Sequence, residues 1–94
     1  MEVQWQQEGS KGSFFIMKEG RKVAEMTYTM PSTTKLIIDH TEVSDELRGQ
    51  NAGYQLVKAA VDYARSNKIS ILPLCPFAAS VFKKVPALAD VLVK

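Results

Sequence analysis

From residue 3 to residue 43 the chain is a series of β-favouring runs, residues 3–7, 13–18, 22–30 and 35–43, each bounded by a turn signal. Glu8-Gly9-Ser10-Lys11-Gly12 has the length of a hairpin loop, Lys18-Glu19-Gly20-Arg21 carries a glycine, and Pro31-Ser32-Thr33-Thr34 joins a proline to hydroxyl side chains. An antiparallel meander of about four strands is therefore expected. After Leu47 the period changes. Leu56, Ala60, Tyr63 and Ala64 recur at helical spacing, while Gln55, Lys58, Asp62 and Arg65 take the other side. This predicts an amphipathic helix over residues 51–67, stopped by Asn67-Lys68, where Asn tolerates the left-handed conformation and Lys suits the negative end of the dipole. Residues 69–74 are an apolar run of strand length. Pro76 suits the first position of a second helix, which would turn Phe77, Ala78, Val81 and Phe82 inward and end at Pro86. Residues 87–93 fit a short strand or a turn.

The predicted fold is α+β: a mixed sheet whose antiparallel N-terminal meander leads into a βαβ unit and a C-terminal helix, forming one domain over residues 1–94. Strands 35–43 and 69–74 should be parallel, joined by a right-handed crossover. With 94 residues and nearly half of them apolar, the chain can fill one core and not two. The net charge of +2 comes from interspersed acids and bases with no longer basic run than Lys83-Lys84. No strand interleaves aromatic and basic residues on one face, so nucleic acid is not an expected partner. No stretch approaches the roughly 20 apolar residues that span a bilayer. Met1 leads into Glu2, Gln4, Gln6 and Gln7 rather than a basic start and an apolar segment, so no secretory leader is expected. Cys75 is the single cysteine, which excludes an internal disulfide and fits a reducing compartment. A cytoplasmic protein is expected; the sequence is compatible with a monomer and does not fix the oligomeric state.

The chemistry concentrates between the strand ending at Val43 and the first helix, in Ser44-Asp45-Glu46-Leu47-Arg48-Gly49-Gln50-Asn51-Ala52-Gly53. A helix that starts in such a loop directs unpaired N–H groups and its positive dipole end outward, which suits a phosphate. Glycine lets the phosphate approach the backbone and adopts positive φ. Arg48 can add charge-assisted bonds. The same spacing fits an ordinary strand-to-helix connection in which the glycines only turn the chain.

Arg48-Gly49-Gln50-Asn51-Ala52-Gly53 resembles the Arg/Gln-x-x-Gly-x-Gly/Ala signature of the GNAT acetyltransferases, and it follows the right strand and precedes the right helix. His40-Thr41-Glu42-Val43 and Leu74-Cys75-Pro76-Phe77 extend the likeness to the small stand-alone GNAT-like proteins that keep only the acetyl-CoA-binding core. Asn51 stands where the signature has its first glycine, and Asn is the other residue that most readily accepts positive φ. The resemblance implies that the amides of Arg48, Gly49, Gln50, Asn51, Ala52 and Gly53 hold the pyrophosphate of acetyl-CoA or coenzyme A. It also implies that the pantetheine arm pairs with free backbone near Val43, in a wedge between splayed strands 35–43 and 69–74. Pro73 points the same way on its own, because a proline lacks a ladder donor and belongs where pairing has stopped; a strand-end or edge position satisfies it too.

His40 and Glu42 are two apart in a strand, so a regular pleat puts both on one face with Leu36 and Ile38. A bulge, which GNAT proteins commonly carry in this strand, would re-aim them. His40 is the single histidine and can serve as base or proton shuttle near neutral pH, or as a hydrogen-bonded strand residue. Glu42 matches the position from which many GNAT enzymes activate the acceptor amine. Cys75 precedes the helix opened by Pro76, where the positive end favours thiolate. In the resembling proteins a cysteine here lies beside the acetyl group, although a lone cysteine also serves as a small buried hydrophobe. Ser80 and Lys83 are three apart and can share a helix face, with Lys83 towards a phosphate of CoA or both in solvent. Phe77 fits the core or the wall of the pantetheine site.

The leading function is an acetyl-CoA-dependent N-acetyltransferase acting on an amine of an unknown acceptor, either by direct attack or through acetyl-Cys75 with His40 activating the thiol. The turns between the first strands are too short for the helices that help GNAT domains build an acceptor site. The acceptor side should then be open, suited to a protein or another large substrate. A non-catalytic CoA-binding regulatory module is the alternative.

Overall fold

In the computed structural model, which describes residues 2–93, five strands form one sheet in the order of the sequence. Strands β1 (Gln4–Glu8), β2 (Lys11–Lys18), β3 (Arg21–Ser32) and β4 (Lys35–Val43) make the antiparallel meander. A 3-10 turn (Asp45–Leu47) and helix α1 (Ala52–Asn67) carry the chain over to β5 (Ser70–Pro73), parallel to β4; helix α2 (Pro76–Lys84) and a second 3-10 segment (Pro86–Val91) follow. This is the α+β arrangement read from the pattern of the sequence.

The turns differ in detail from the expectation. Only Gly9 and Ser10 lie between β1 and β2. Glu19 and Gly20 both take positive φ, 51° and 78°, which matches the right-handed twist of the flanking strands. Pro31 and Ser32 belong to β3, so the next turn is Thr33-Thr34 alone. Residues 87–93 combine both expected forms, since the 3-10 segment is followed by Leu92 bridging to Ile71 in parallel.

Both helices cover one face of the sheet. That face presents Phe14, Met26, Tyr28, Leu36 and Ile38, which pack with Leu56, Val57, Ala60 and Val61 of α1 and with Ala78, Val81 and Phe82 of α2. Phe77 is not among them: it is 40% exposed, because the inward stripe of α2 runs through positions 78, 81 and 82 and leaves position 77 at its edge. The opposite face carries Phe15, Thr27, Thr29 and Ile37, half-buried. Among the described residues no helix covers it, and none is long and apolar enough to cross a membrane.

Two irregularities in β4 set up the site. Thr27 pairs with His40 and Tyr28 with Ile38, so Asp39 is an extra residue in the ladder, a bulge. Before it Leu36 and Ile38 point to the helices; after it Thr41 and Val43 do, paired with Met26 and Ala24. His40 and Glu42 do share a face, but it is the open face, away from Leu36 and Ile38, and not the same one as a regular pleat requires. The second irregularity is that β5 pairs with β4 only from Lys35↔Ser70 to Ile38↔Pro73. The amides of Leu74 and Cys75 both turn to the Ile38 carbonyl, at 3.2 and 3.3 Å, and the strands part. From His40 to Val43 the β5 side of β4 has no strand beside it among the described residues.

Candidate active site

The approach to α1 is built by local hydrogen bonds. Ser44 caps the 3-10 turn by accepting from the Glu46 amide at 3.3 Å. The Arg48 amide donates to Asp45 O and the Gln50 amide to Leu47 O, each at 3.0 Å. Gly49 and Asn51 take left-handed conformations, φ 82° and 61°. Asn51, in the position of the missing glycine, thus keeps the positive φ that the loop needs, and its side chain does not cap the helix. The first bond of α1 is Gln55 N–H to Asn51 O, 3.1 Å. Of the six amides expected to face a pyrophosphate, those of Arg48 and Gln50 are therefore already engaged. Those of Gly49, Asn51, Ala52 and Gly53 have no backbone partner among the described residues. The space where a Gly49 side chain would stand is open. Free donors, the positive end of a 16-residue helix and an exposed Arg48, which meets Asp45 at 3.3 Å, form an arrangement that suits an anion.

Between the start of α1 and one side of α2 lies a concavity of about 400 Å³ lined by Asn51, Tyr54, Phe77, Ser80 and Lys84. The Phe77 ring rests directly on Gly53, in the space a Cβ would occupy. Gly53 is thus used for close packing of a ring on the helix, a role that its place in a phosphate signature does not suggest. Ser80 donates to the Phe77 carbonyl at 2.6 Å. Lys83 is exposed and does not line this concavity; Lys84 does. The helical spacing 77, 80, 84 puts Lys84 on the Phe77–Ser80 side, whereas Lys83, the lysine expected towards the phosphates, falls off it.

The gap between β4 and β5 has candidate groups on both faces. On the helix face Cys75, 6% exposed, stands as the residue before the first turn of α2, with its sulfur 3.5 Å from Thr41 Oγ1. Burial pushes its thiol up, but the Thr41 hydroxyl and the backbone amides of Ala78, Phe77 and Thr41 outweigh burial and hold it below its ordinary value. On the open face His40 Nε2 and Glu42 Oε1 lie 3.0 Å apart, both side chains mostly exposed. The bulge therefore separates His40 from Cys75 by the thickness of the sheet, and the expected activation of the thiol by His40 is replaced by contact with Thr41. Beside Glu42 a second concavity of about 440 Å³ is lined by Lys22, Glu25, Val43 and Ser44. Glu25 stands opposite Glu42 in register and is held by Lys22 at 2.9 Å. Thr41 and Glu25 were invisible to sequence reasoning because their placement depends on the bulge.

Comparison with known proteins bears on this geometry. The family model described as GCN5-related N-acetyl-transferase matches residues 13–91. The NMR solution structure of a Staphylococcus aureus protein, itself proposed to be a GCN5-like N-acetyltransferase, is 38% identical, with a TM-score of 0.74 over 96% of this chain and 87% of that one. A ribosomal-protein-alanine N-acetyltransferase from Brucella melitensis biovar Abortus 2308 shares the fold at 15% identity and TM-score 0.69, covering 83% of this chain and 62% of that one. AAC(6')-Iy, in complex with the bisubstrate analogue CoA-S-monomethyl-acetylneamine, shares it at 14% identity and TM-score 0.57, covering 93% and 65%. No curated protein matches the chain.

Proposed function

The chain belongs to the GCN5-related N-acetyltransferases, and from that premise we propose that it binds acetyl-coenzyme A and moves the acetyl group to an amine of a large acceptor. The observation that carries this reading is the gap between β4 and β5, opened by the Asp39 bulge and by Pro73, lying next to the free amides at the start of α1. Coenzyme A present as a bisubstrate analogue in a neighbour of the same fold supports the ligand class.

The residues fit such a ligand. The N–H groups of Gly49, Asn51, Ala52 and Gly53 hold the pyrophosphate, assisted by Arg48 once it leaves Asp45. Backbone groups of β4 near Val43, with no strand beside them, pair with the amides of the pantetheine arm. Phe77 forms a wall beside the helix starts, with Ser80 and Lys84 on the same side; Lys83 contributes charge near the phosphates from solvent. Bound acetyl-CoA supplies an acyl group activated as a thioester. The chain supplies position and proton transfer: on the open face Glu42, held by His40, takes the proton of the acceptor ammonium so that the amine can attack. On the helix face Cys75 is placed for the alternative, in which its thiolate takes the acetyl group first. With only a two-residue turn between β1 and β2, no helix among the described residues encloses the concavity beside Glu42, which suits an amine on a protein or another large molecule.

Release of free CoA across a panel of amines, including lysine-bearing peptides, tests transfer. Glu42→Gln should slow release by about 10²-fold or more while acetyl-CoA still raises the unfolding temperature. Stabilisation by acetyl-CoA with no release for any amine would leave a CoA-binding module and sink the transferase reading. Intact mass after incubation with acetyl-CoA alone separates the routes, since direct transfer leaves no acetyl adduct on Cys75.

A further inference from the structure

The Asp39 bulge does more than re-aim His40. It turns Thr41 onto the helix face, in register with Met26, where its hydroxyl meets the Cys75 sulfur at 3.5 Å. Cys75 is buried and makes no side-chain cap bond to α2, so Thr41 is its side-chain partner among the described residues. Among the described residues no acid or base pairs with the sulfur. On β4, His40 and Glu42 lie on the other face; on α2, Lys83 and Lys84 stand in the last turn; β5 and α1 contribute the apolar Ile71, Leu56 and Val57 to the core cluster that includes Cys75. A charge on this sulfur is met by one hydroxyl and by the amides that open α2, and not by a cation.

We propose that Thr41 is the positioning residue for the Cys75 sulfur in acetyl transfer, its hydroxyl accepting from the thiol and donating to the thiolate. A hydroxyl serves both states because its hydrogen rotates, whereas a valine of the same shape serves neither. The bond also fixes the direction of Sγ. Thr41 lies in the part of β4 that β5 leaves free, so the bond ties the buried sulfur to the strand that borders the gap. The thiol held below its ordinary value is consistent with this bond. The proposal rests on the covalent route of the preceding reading. In that route the Cys75 proton passes to a base in solvent and the Sγ–acyl bond forms. The thioester C–S bond breaks, and the departing CoA thiolate carries off the electron pair. The acceptor amine then bonds to the acyl carbon, loses its proton to solvent, and releases Cys75 as thiolate.

The test is the pH profile of Cys75 alkylation by iodoacetamide in the wild type, Thr41→Val, Thr41→Ala and Thr41→Ser. Loss of a hydrogen bond to a charged group should move the inflection up by about one pH unit in the valine and alanine variants, and serine should restore most of it. Valine favours strands, so that variant should fold, and alanine guards against a packing effect peculiar to valine. Profiles of both variants that superimpose on the wild type overturn the proposal, as does a serine variant shifted as far as valine. In parallel, acetyl-adduct formation followed by intact mass at pH 7 should slow about ten-fold in Thr41→Val, with stabilisation by acetyl-CoA unchanged. A wild type that binds acetyl-CoA yet forms no adduct overturns the role in transfer, even where the alkylation profile shifts. A wild type that acetyl-CoA does not stabilise marks failure of the underlying reading instead.

Discussion

At the residue scale, the least expected placement is the Phe77 ring lying on Gly53. A side chain at position 53 would have to displace the end of an aromatic ring that is 40% exposed and free to rotate outward. Gly53→Ala should therefore cost little stability, because the roughly 1 kcal/mol by which alanine exceeds glycine in a helix offsets the shift of the ring, while opening the concavity that Phe77 walls. We expect a thermal midpoint near that of the wild type and a clear loss of acetyl-CoA affinity by calorimetry; unchanged affinity would mean that Phe77 plays no part in the site. Single-residue roles were the least legible level of the sequence. Cys75, His40 and Glu42 could be singled out because their chemistry is rare in this chain. Thr41 could not, because an ordinary strand threonine becomes the partner of a thiol only through a bulge one turn of the pleat away. Lys84 was masked by its neighbour Lys83, and only helical spacing from Phe77 tells them apart.

At the scale of elements, the start of α1 and the bend of β4 are the two devices that create a site from a plain βαβ unit. Asn51 holds φ 61°, a conformation that costs most other side chains more. Asn51→Gly should be tolerated, with the thermal midpoint and acetyl-CoA stabilisation both kept. Asn51→Ala should lose about 1 kcal/mol in denaturant unfolding; equal stability of the alanine and glycine variants would show that the loop relaxes to another conformation. The β4 bulge permits a sharper test. Deleting Asp39 leaves Thr41 facing the helices and His40 facing outward, as now, but straightens the ladder with β3 and removes the Thr29–Asp39 bond of 2.7 Å. The deletion should fold, by circular dichroism, and lose most of its response to acetyl-CoA. A full response would show that the gap depends on Pro73 alone. Strand and helix boundaries were legible here to within two or three residues, with β4 matched at both ends, because period and turn chemistry are local. The bulge was not, since nothing in Ile38-Asp39-His40 distinguishes an extra residue from a paired one.

At the scale of the molecule, one sheet carries both helices on a single face and leaves the other open, and the C-terminal segment is tied back to α1. Arg65 reaches both oxygens of Asp90, at 3.0 and 2.6 Å, and the Ala87 carbonyl at 2.8 Å. The Arg65 hydrogen bond holds the Asp90 carboxyl below its ordinary value. A carboxylate depressed in the folded state adds stability that is present above its unfolded value and fades as pH falls through the folded one. Wild type and Asp90→Asn should thus differ in thermal midpoint near neutrality, slightly because the pair is exposed, and converge in acid below the usual aspartate range. A gap that persists undiminished in acid would remove the ion pair as its cause. The overall fold was the most legible level, since four alternating runs, a 3.6-period segment and another apolar run leave few topologies under the right-handed crossover rule.

The measurement that bears most directly on the account is a titration of labelled protein with acetyl-CoA, followed by amide NMR. The predicted result is saturable shifts at Gly49, Asn51, Ala52, Gly53 and Tyr54 and along His40–Val43, with a smaller set near Phe77 and Cys75. Trp5 and the β1–β2 turn should stay still. No shift at many-fold excess, or shifts confined to the far end of the sheet around Gln7, Ser32 and Asn67, would contradict it.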